Sequence, residues 1–152
     1  MTLVRRAVPD DAEAIMRLAD RLQEGVAPWR DRAAVLAAVR GWARDSIDAI
    51  DDPDTAMFVA ERGEVVLGFA SASERAHFSG ETDTYLGELV VASDAERGGV
   101  GRELVEAAAD WGRSRGRRRI VVDTGAANSP ARRFYTALGF DDEDTTVSRA
   151  ID

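Results

Sequence analysis

The stretch from Glu88 to Arg102 constrains this chain more than any other part. It runs Glu-Leu-Val-Val-Ala, then Ser-Asp-Ala-Glu-Arg, then Gly-Gly-Val-Gly-Arg, and continues into Glu-Leu-Val-Glu-Ala-Ala-Ala-Asp-Trp. The pattern is an apolar strand, a polar turn, a glycine-rich loop and the first turns of an amphipathic helix. Glycine has no Cβ, so backbone N–H groups in such a loop can approach an anion closely. The helix that follows adds unpaired N–H donors and the partial positive charge of its N-terminus. The stretch therefore reads as a phosphate cradle, and the question is which phosphate it holds.

The two common nucleotide loops fit poorly. A dinucleotide fingerprint needs G-x-G-x-x-G after the first strand of a doubly wound sheet. Here Gly99-Val100-Gly101 is followed by Arg102-Glu103-Leu104, without the third glycine. A P-loop needs Gly-Lys-Ser/Thr, and every basic residue of this chain other than its one histidine is arginine. The net charge of −8 argues against general nucleic-acid binding. With no cysteine, there are no disulfides, thiolate nucleophiles or cysteine-ligated metals, and no metal is expected. No apolar run approaches membrane-span length, and residues 1–6 lack the apolar core of a secretory signal. A cytoplasmic protein without nucleic-acid or membrane partners is the simplest expectation.

Around this stretch the period of the apolar residues predicts a mixed α/β chain. Residues 2–7 read as a strand, and Asp10 or Asp11 as the N-cap of a first helix carrying Ile15, Leu18, Ala19 and Leu22. A second helical pattern starts at Asp31, with Val35, Ala38, Val39, Trp42 and Ile47 as its apolar residues. Strands are predicted over 56–61, 65–73 and 84–92, a helix over 100–115 and a strand over 119–124. Asn128-Ser129-Pro130 starts a last helix, with Ser129 as N-cap and Pro130 at its first position, that stops at Gly139, and residues 145–151 read as a final short strand. The strand before the glycine loop and the strand after its helix should be parallel, as a crossover requires. With 152 residues, no repeat and no linker, residues 1–152 are expected to form a single domain.

A second motif gives the loop its meaning. Asn128, Ala131, Phe134, Tyr135, Leu138, Gly139 and Phe140 stand in the pattern N-x-x-A-x-x-F-Y-x-x-L-G-F. Together with the strand, loop and helix of residues 88–111, this resembles the GNAT superfamily of acyl-CoA-dependent N-acyltransferases. The resemblance covers residues 56–140, and the two preceding helices fit the family layout. It implies a mixed central sheet with splayed central strands, flanked by about four helices. It implies acetyl-CoA as cosubstrate and transfer of its acetyl group to a primary amine of a small molecule, by direct attack in a ternary complex. The link Phe78-Ser79-Gly80-Glu81 and the segment from Tyr85 to Val91 look most like aminoglycoside-type small-amine acetyltransferases.

The resemblance assigns roles residue by residue. Leu89, Val90 and Val91 would offer backbone groups to the pantetheine arm. Arg97, Gly98, Gly99, Val100, Gly101 and Arg102 would cradle the pyrophosphate, and Asn128 would contact pantetheine, a role compatible with capping the last helix. Tyr135 matches the tyrosine that protonates the leaving thiolate, the alternative being a core aromatic beside Phe134. Glu88 is the candidate base, with Asp123 second. One departure stands out. The family loop begins with Gln or Arg, and here that position is Glu96. A carboxylate facing a pyrophosphate is unfavourable, so Glu96 is expected to point to solvent.

For the acceptor, Trp29, His77, Glu81 and Asp123 are the candidate contacts. A cleft lined by Glu81, Asp83 and Glu88 would attract a cationic amine. An exposed hairpin is the structural alternative for His77, and an acidic surface the alternative for the carboxylates. A non-catalytic acyl-CoA sensor is the rival function, and a protein N-terminus or lysine side chain the rival acceptor. Homodimers are frequent in the superfamily, which is the one reason to expect a second copy.

Overall fold

The computed structural model describes residues 1–152. Five strands form one sheet in sequential order: β1 (Leu3–Arg6), β2 (Ala56–Arg62), β3 (Val65–Ala76), β4 (Thr82–Val91) and β5 (Ile120–Val122). The first four pair antiparallel, and β4–β5 is parallel across the helical crossover. The helices are α1 (Ala12–Ala19), α2 (Arg32–Asp48), α3 (Val100–Ser114) and α4 (Ser129–Ala137). No helix is long and apolar enough to cross a membrane.

The sheet is buried on both faces, each with its own apolar cluster. Phe58, Ala70, Ala72 and Leu86 face α3, where they meet Val100, Leu104, Val105 and Ala108, with Tyr135 of α4 alongside. Met57, Val59, Phe69 and Val90 face the other way, against Ile15 and Ala19 of α1 and Ala43 and Ile47 of α2. Side chains alternate along a strand, so this two-sided burial turns β2 and β3 into nearly continuous apolar runs.

Local chemistry fixes the helix ends. Asp31 caps α2 by accepting from the Ala34 N–H at 2.8 Å. Asn128, not Ser129, caps α4, accepting from Ala131 N–H at 3.2 Å, and Pro130 sits in the first turn. Asp11 lies in a single 3-10 turn before α1, accepts from Val8 N–H at 2.8 Å, and takes both guanidinium arms of Arg5. Of the arginines between Arg113 and Arg119 at the end of α3, Arg115 and Arg117 converge on Glu74 of β3.

Besides the α4 cap, the sequence reading needs correction at the C-terminal end. Residues 145–151 are not a strand; the whole tail from Asp141 to Asp152 is irregular and exposed. A strand needs a neighbour for its backbone donors and acceptors. In this structure β5 is the last strand, and nothing pairs with its outer edge. Four consecutive carboxylates, Asp141 to Asp144, begin the tail and oppose its collapse onto the body.

Helix α3 lies close against the sheet at Gly112. A Cβ there would lie 1.9 Å from Thr84 Oγ1 and 2.9 Å from Thr84 Cβ, and Thr84 is fully buried. Gly112→Ala therefore forces α3 off β4, and overpacking of this kind costs about 1–3 kcal/mol. Chemical denaturation should show that loss, whereas Gly41→Ala, where an added Cβ meets nothing within 4 Å, should show none.

Candidate active site

The site is organised by one irregularity in β4. Ser71 of β3 pairs with Glu88, and the next residue, Ala72, pairs with Leu86. Gly87 is therefore an extra residue, a β-bulge. The bulge reverses the alternation of side chains. Before it, Leu86 faces α3; after it, Val90 faces α1 and α2. Tyr85 and Glu88, three residues apart, come to share the α2 side. Ser71 holds the bulge by accepting the Glu88 N–H at 3.0 Å, and a Cβ on Gly87 would stand 2.9 Å from the same Ser71 Oγ.

On that side lies a cavity of about 420 Å³, lined by Trp42, Asp45 and Ser46 of α2, Ser71 of β3, and Tyr85 and Glu88 of β4. Glu88 is 6% exposed. Its Oε1 accepts from Ser46 Oγ at 2.9 Å. Burial pushes the carboxyl up to about 7; the Ser46 hydroxyl pulls it back, and the nearby Asp45 charge raises it further. A carboxylate that exchanges its proton near neutrality is suited to taking a proton from an ammonium group.

The opposite edge of β4 opens at the same point. β5 pairs with β4 only at Thr84, Tyr85 and Leu86, and β5 ends at Val122 while β4 continues to Val91. From Gly87 onward β4 faces no strand on that side, so Leu89, Val90 and Val91 have a free backbone edge. An extended ligand can add to such an edge as a strand would. Beyond it, Arg97 and Gly99 adopt left-handed φ values of 66° and 83°. No protein acceptor takes the N–H of any residue from Arg97 to Arg102. This run of free donors at the N-terminus of the 15-residue α3 fits a diphosphate.

Tyr135 lies on α4, edge-on to Phe134 with ring centroids 5.2 Å apart and 5.3 Å from Phe140. It lines a hollow of about 410 Å³ between α3, β5 and α4. Burial pushes its phenol up to about 12, so it stays a protonated donor at neutral pH. Asn128 spends its side chain on the protein: Oδ1 caps α4, and Nδ2 donates to the Glu24 carbonyl at 3.2 Å.

The other expected residues fall in three places. Asp123, just past β5, accepts from Arg75 at 2.8 Å and from Tyr85 OH at 3.1 Å. The Arg75 guanidinium holds its carboxyl below the ordinary range, which makes it a weaker base than Glu88. His77 and Glu81 are joined through Ser79 within the β3–β4 turn, and neither lines the Glu88 cavity. Trp29 is exposed in the link before α2, also outside that cavity, and Asp83 is buried away from it. Glu96 is exposed, as expected, and is in addition ion-paired to Arg21, from the turn after α1.

The sequence reading missed Trp42, Asp45 and Ser46. Trp42 had been placed on the apolar stripe of α2, but the buried stripe is Val39, Ala43 and Ile47, and Trp42 is 55% exposed. An aromatic one position off a stripe of period 3.6 was the available signal.

Fold and site define an acyl-CoA-dependent acetyltransferase. Residues 15–140 match the model of the Acetyltransferase (GNAT) family, and the chain belongs to that family. It is 27% identical over 107 residues to aminoglycoside N(6′)-acetyltransferase type 1 of Salmonella typhimurium, covering 68% of this chain and 74% of that protein. The Klebsiella aerogenes protein of the same name is 42% identical over 86 residues, covering 54% of this chain and 55% of its own. Among solved structures, the fold matches AAC(6′)-Iy in complex with a bisubstrate analogue, with a TM-score of 0.72 at 24% identity over 100% of this chain and 99% of that one. It also matches the PaiA N-acetyltransferase of Thermoplasma acidophilum in complex with coenzyme A, with a TM-score of 0.80 at 18% identity over 96% and 93% of the two chains.

The Glu88 environment makes a signed pH prediction. If Glu88 is the base, kcat/KM should fall about tenfold per unit below pH 7. Ser46→Ala removes the bond that favours the carboxylate, so the midpoint should move up by roughly one unit. The folded value lies above the ordinary 4.5, so the wild type loses stability as pH rises from 4.5 through about 7. Glu88→Gln lacks that loss and should gain roughly 3 kcal/mol on the wild type across the window. Denaturation at pH 5 and pH 8 measures it, and an unchanged difference would show that Glu88 is not desolvated.

Proposed function

We propose that this acetyltransferase moves the acetyl group of acetyl-CoA to a primary amine on a small cationic molecule, with residues 1–152 acting as one catalytic unit. The observation that carries the reading is the placement of a buried carboxylate, Glu88, on the strand whose far edge and following loop present unpaired N–H groups. The cavity before Glu88 has an aromatic wall, Trp42, and a second carboxylate, Asp45. Opposite charge attracts an ammonium, and an indole face adds cation–π attraction. The aminoglycoside acetyltransferases similar to this chain support a polyamine-like acceptor, and the cavity's charge supports the same class.

The cosubstrate supplies an activated acetyl group as a thioester. The chain's own residues do the rest. Glu88, as the carboxylate, removes a proton from the ammonium and leaves the neutral nucleophile. A backbone N–H on the open edge of β4 polarises the acetyl carbonyl. The C–N bond forms as the C–S bond breaks; the new amide nitrogen then sheds its extra proton, and the departing sulfur, hydrogen-bonded by the Tyr135 phenol, takes up one proton in balance and leaves as the coenzyme A thiol. With its acidity weakened by burial, Tyr135 acts first as a hydrogen-bond donor to developing thiolate charge. Arg97 to Arg102 hold the diphosphate throughout, and the cap role of Asn128 fixes the α4 turn beside the slot.

The same reading extends to location and assembly. A cysteine-free chain fits the cytoplasm, where disulfides contribute nothing. The open outer edge of β5 and the exposed Val147 and Ile151, alternating with Ser148 and Ala150 around Arg149, support pairing with a second copy. Light scattering should then give about twice 16.5 kDa, and a monomer mass would remove this part of the proposal.

Coenzyme A release across a panel of mono-, di- and polyamines tests the activity. Diamines and polyamines should turn over well ahead of neutral-tailed monoamines. Tyr135→Phe should lower kcat on the order of 10²-fold, as loss of an acid–base group does, with KM for acetyl-CoA little changed. Acetyl-CoA binding without turnover of any amine would favour a sensor module, and turnover of peptides alone would replace the acceptor class.

A further inference from the structure

We propose that Arg21 is a diphosphate-binding residue for coenzyme A, aimed at the glycine loop by Glu96. The proposal rests on the cofactor reading above and concerns a residue outside the loop and outside α3.

Glu96 immediately precedes the run of free N–H groups from Arg97 to Arg102. Left alone, its carboxylate would oppose the anion that those donors attract. In the structure it is ion-paired to Arg21 Nη2, and the same nitrogen lies 3.4 Å from Glu24 Oε2. Both carboxylates thus engage one nitrogen. The Arg21 Nε and Nη1 donors have no protein acceptor. A guanidinium carries five N–H donors in a rigid fork that matches phosphate oxygens. Its remaining donors are therefore available beside the loop.

Arg21 is also held in place. The segment it begins is pinned at its other end against the turn before α4. The Glu24 carbonyl accepts from Asn128 Nδ2, and Gly25 touches Asn128 so closely that a Cβ on Gly25 would lie 2.2 Å from Asn128 Cβ. Gly125 meets the Gly25 carbonyl in the same way, its own Cβ position lying 2.1 Å from that oxygen. Residues 21–25 thus run from the glycine loop to the α4 turn. Two exposed arginines on the loop, Arg97 and Arg102, are the other nearby cations, and neither is paired to Glu96.

The charge balance explains how an acidic residue can occupy the loop. Without Arg21, Glu96 would weaken diphosphate binding. With it, the Glu96 charge is offset although Glu24 shares the same nitrogen, and the Arg21 Nε and Nη1 donors remain unspent for an anion. The pair is open to solvent on the Glu96 side, and such a pair adds little to stability, so its removal should leave the fold intact and isolate the effect on binding.

Titration calorimetry with coenzyme A tests this on the full chain, using Arg21→Ala, Glu96→Gln and the double variant. Arg21→Ala should weaken binding on the order of tenfold or more, the usual effect of losing a charge-assisted hydrogen bond. Glu96→Gln should bind as tightly as the wild type or more tightly. The double variant should remain at least fivefold weaker than Glu96→Gln alone. If it binds as well as Glu96→Gln, Arg21 only neutralises Glu96, and the proposal is overturned. KM for acetyl-pantetheine, which has no diphosphate, should be unchanged by Arg21→Ala; a parallel rise there would make Arg21 structural and also overturn it. If the wild type itself binds no coenzyme A, the cofactor reading fails first and takes this one with it.

Discussion

The extra residue in β4 is the constraint on which the rest depends. A strand without the Gly87 bulge would send Tyr85 and Glu88 to opposite faces. With it, both face α2, and Ser71 closes the bulge by accepting the Glu88 N–H. The parallel pairing with β5 stops at Leu86, one residue before the bulge. One strand therefore changes function along its length. From Thr84 to Leu86 it is a core strand paired on both sides. From Gly87 onward it offers an open backbone edge to a ligand and a carboxylate to a cavity, then passes into the glycine loop.

Electrostatics separates carboxylates that composition alone leaves equivalent. Asp11, Glu74 and Asp123 each sit against arginine and are held below the ordinary carboxylate range. Glu88 has only a serine hydroxyl as partner and a like charge, Asp45, nearby. It alone is raised towards neutrality. A chain with 28 acidic and 20 basic residues thus places its arginines so that one buried carboxylate remains free to exchange a proton. Pairing of Arg21 with Glu96 applies the same logic at the glycine loop.

Much of this was legible in the sequence because its signals are local. The glycine loop, the Asn128–Phe140 motif and the strand periods lie in short segments whose chemistry does not depend on distant neighbours. The buried environment of Glu88 is different, because it needs α2 to cross the sheet above a bulge that leaves only a single glycine as its trace. Trp42 looked like core because a period of 3.6 tolerates one-residue errors on a helix whose apolar stripe is short. Arg21 and Glu96 are 75 positions apart, and nothing in either segment announces the other. The tail failed as a strand for a related reason: its alternation is local, but pairing is not, and the run of carboxylates at its start opposes docking on the open edge of β5.

The central claim is that the bulge puts Glu88 into a desolvated site where its proton exchanges near neutrality. A carbon-13 NMR titration of the Glu88 side-chain carboxyl, assigned by comparison with Glu88→Gln, measures this without substrates or turnover. The account predicts a midpoint near 7, displaced upwards in Ser46→Ala. A midpoint near the ordinary 4.5 would contradict it, since the carboxyl would then be solvated and the bulge would have built no base.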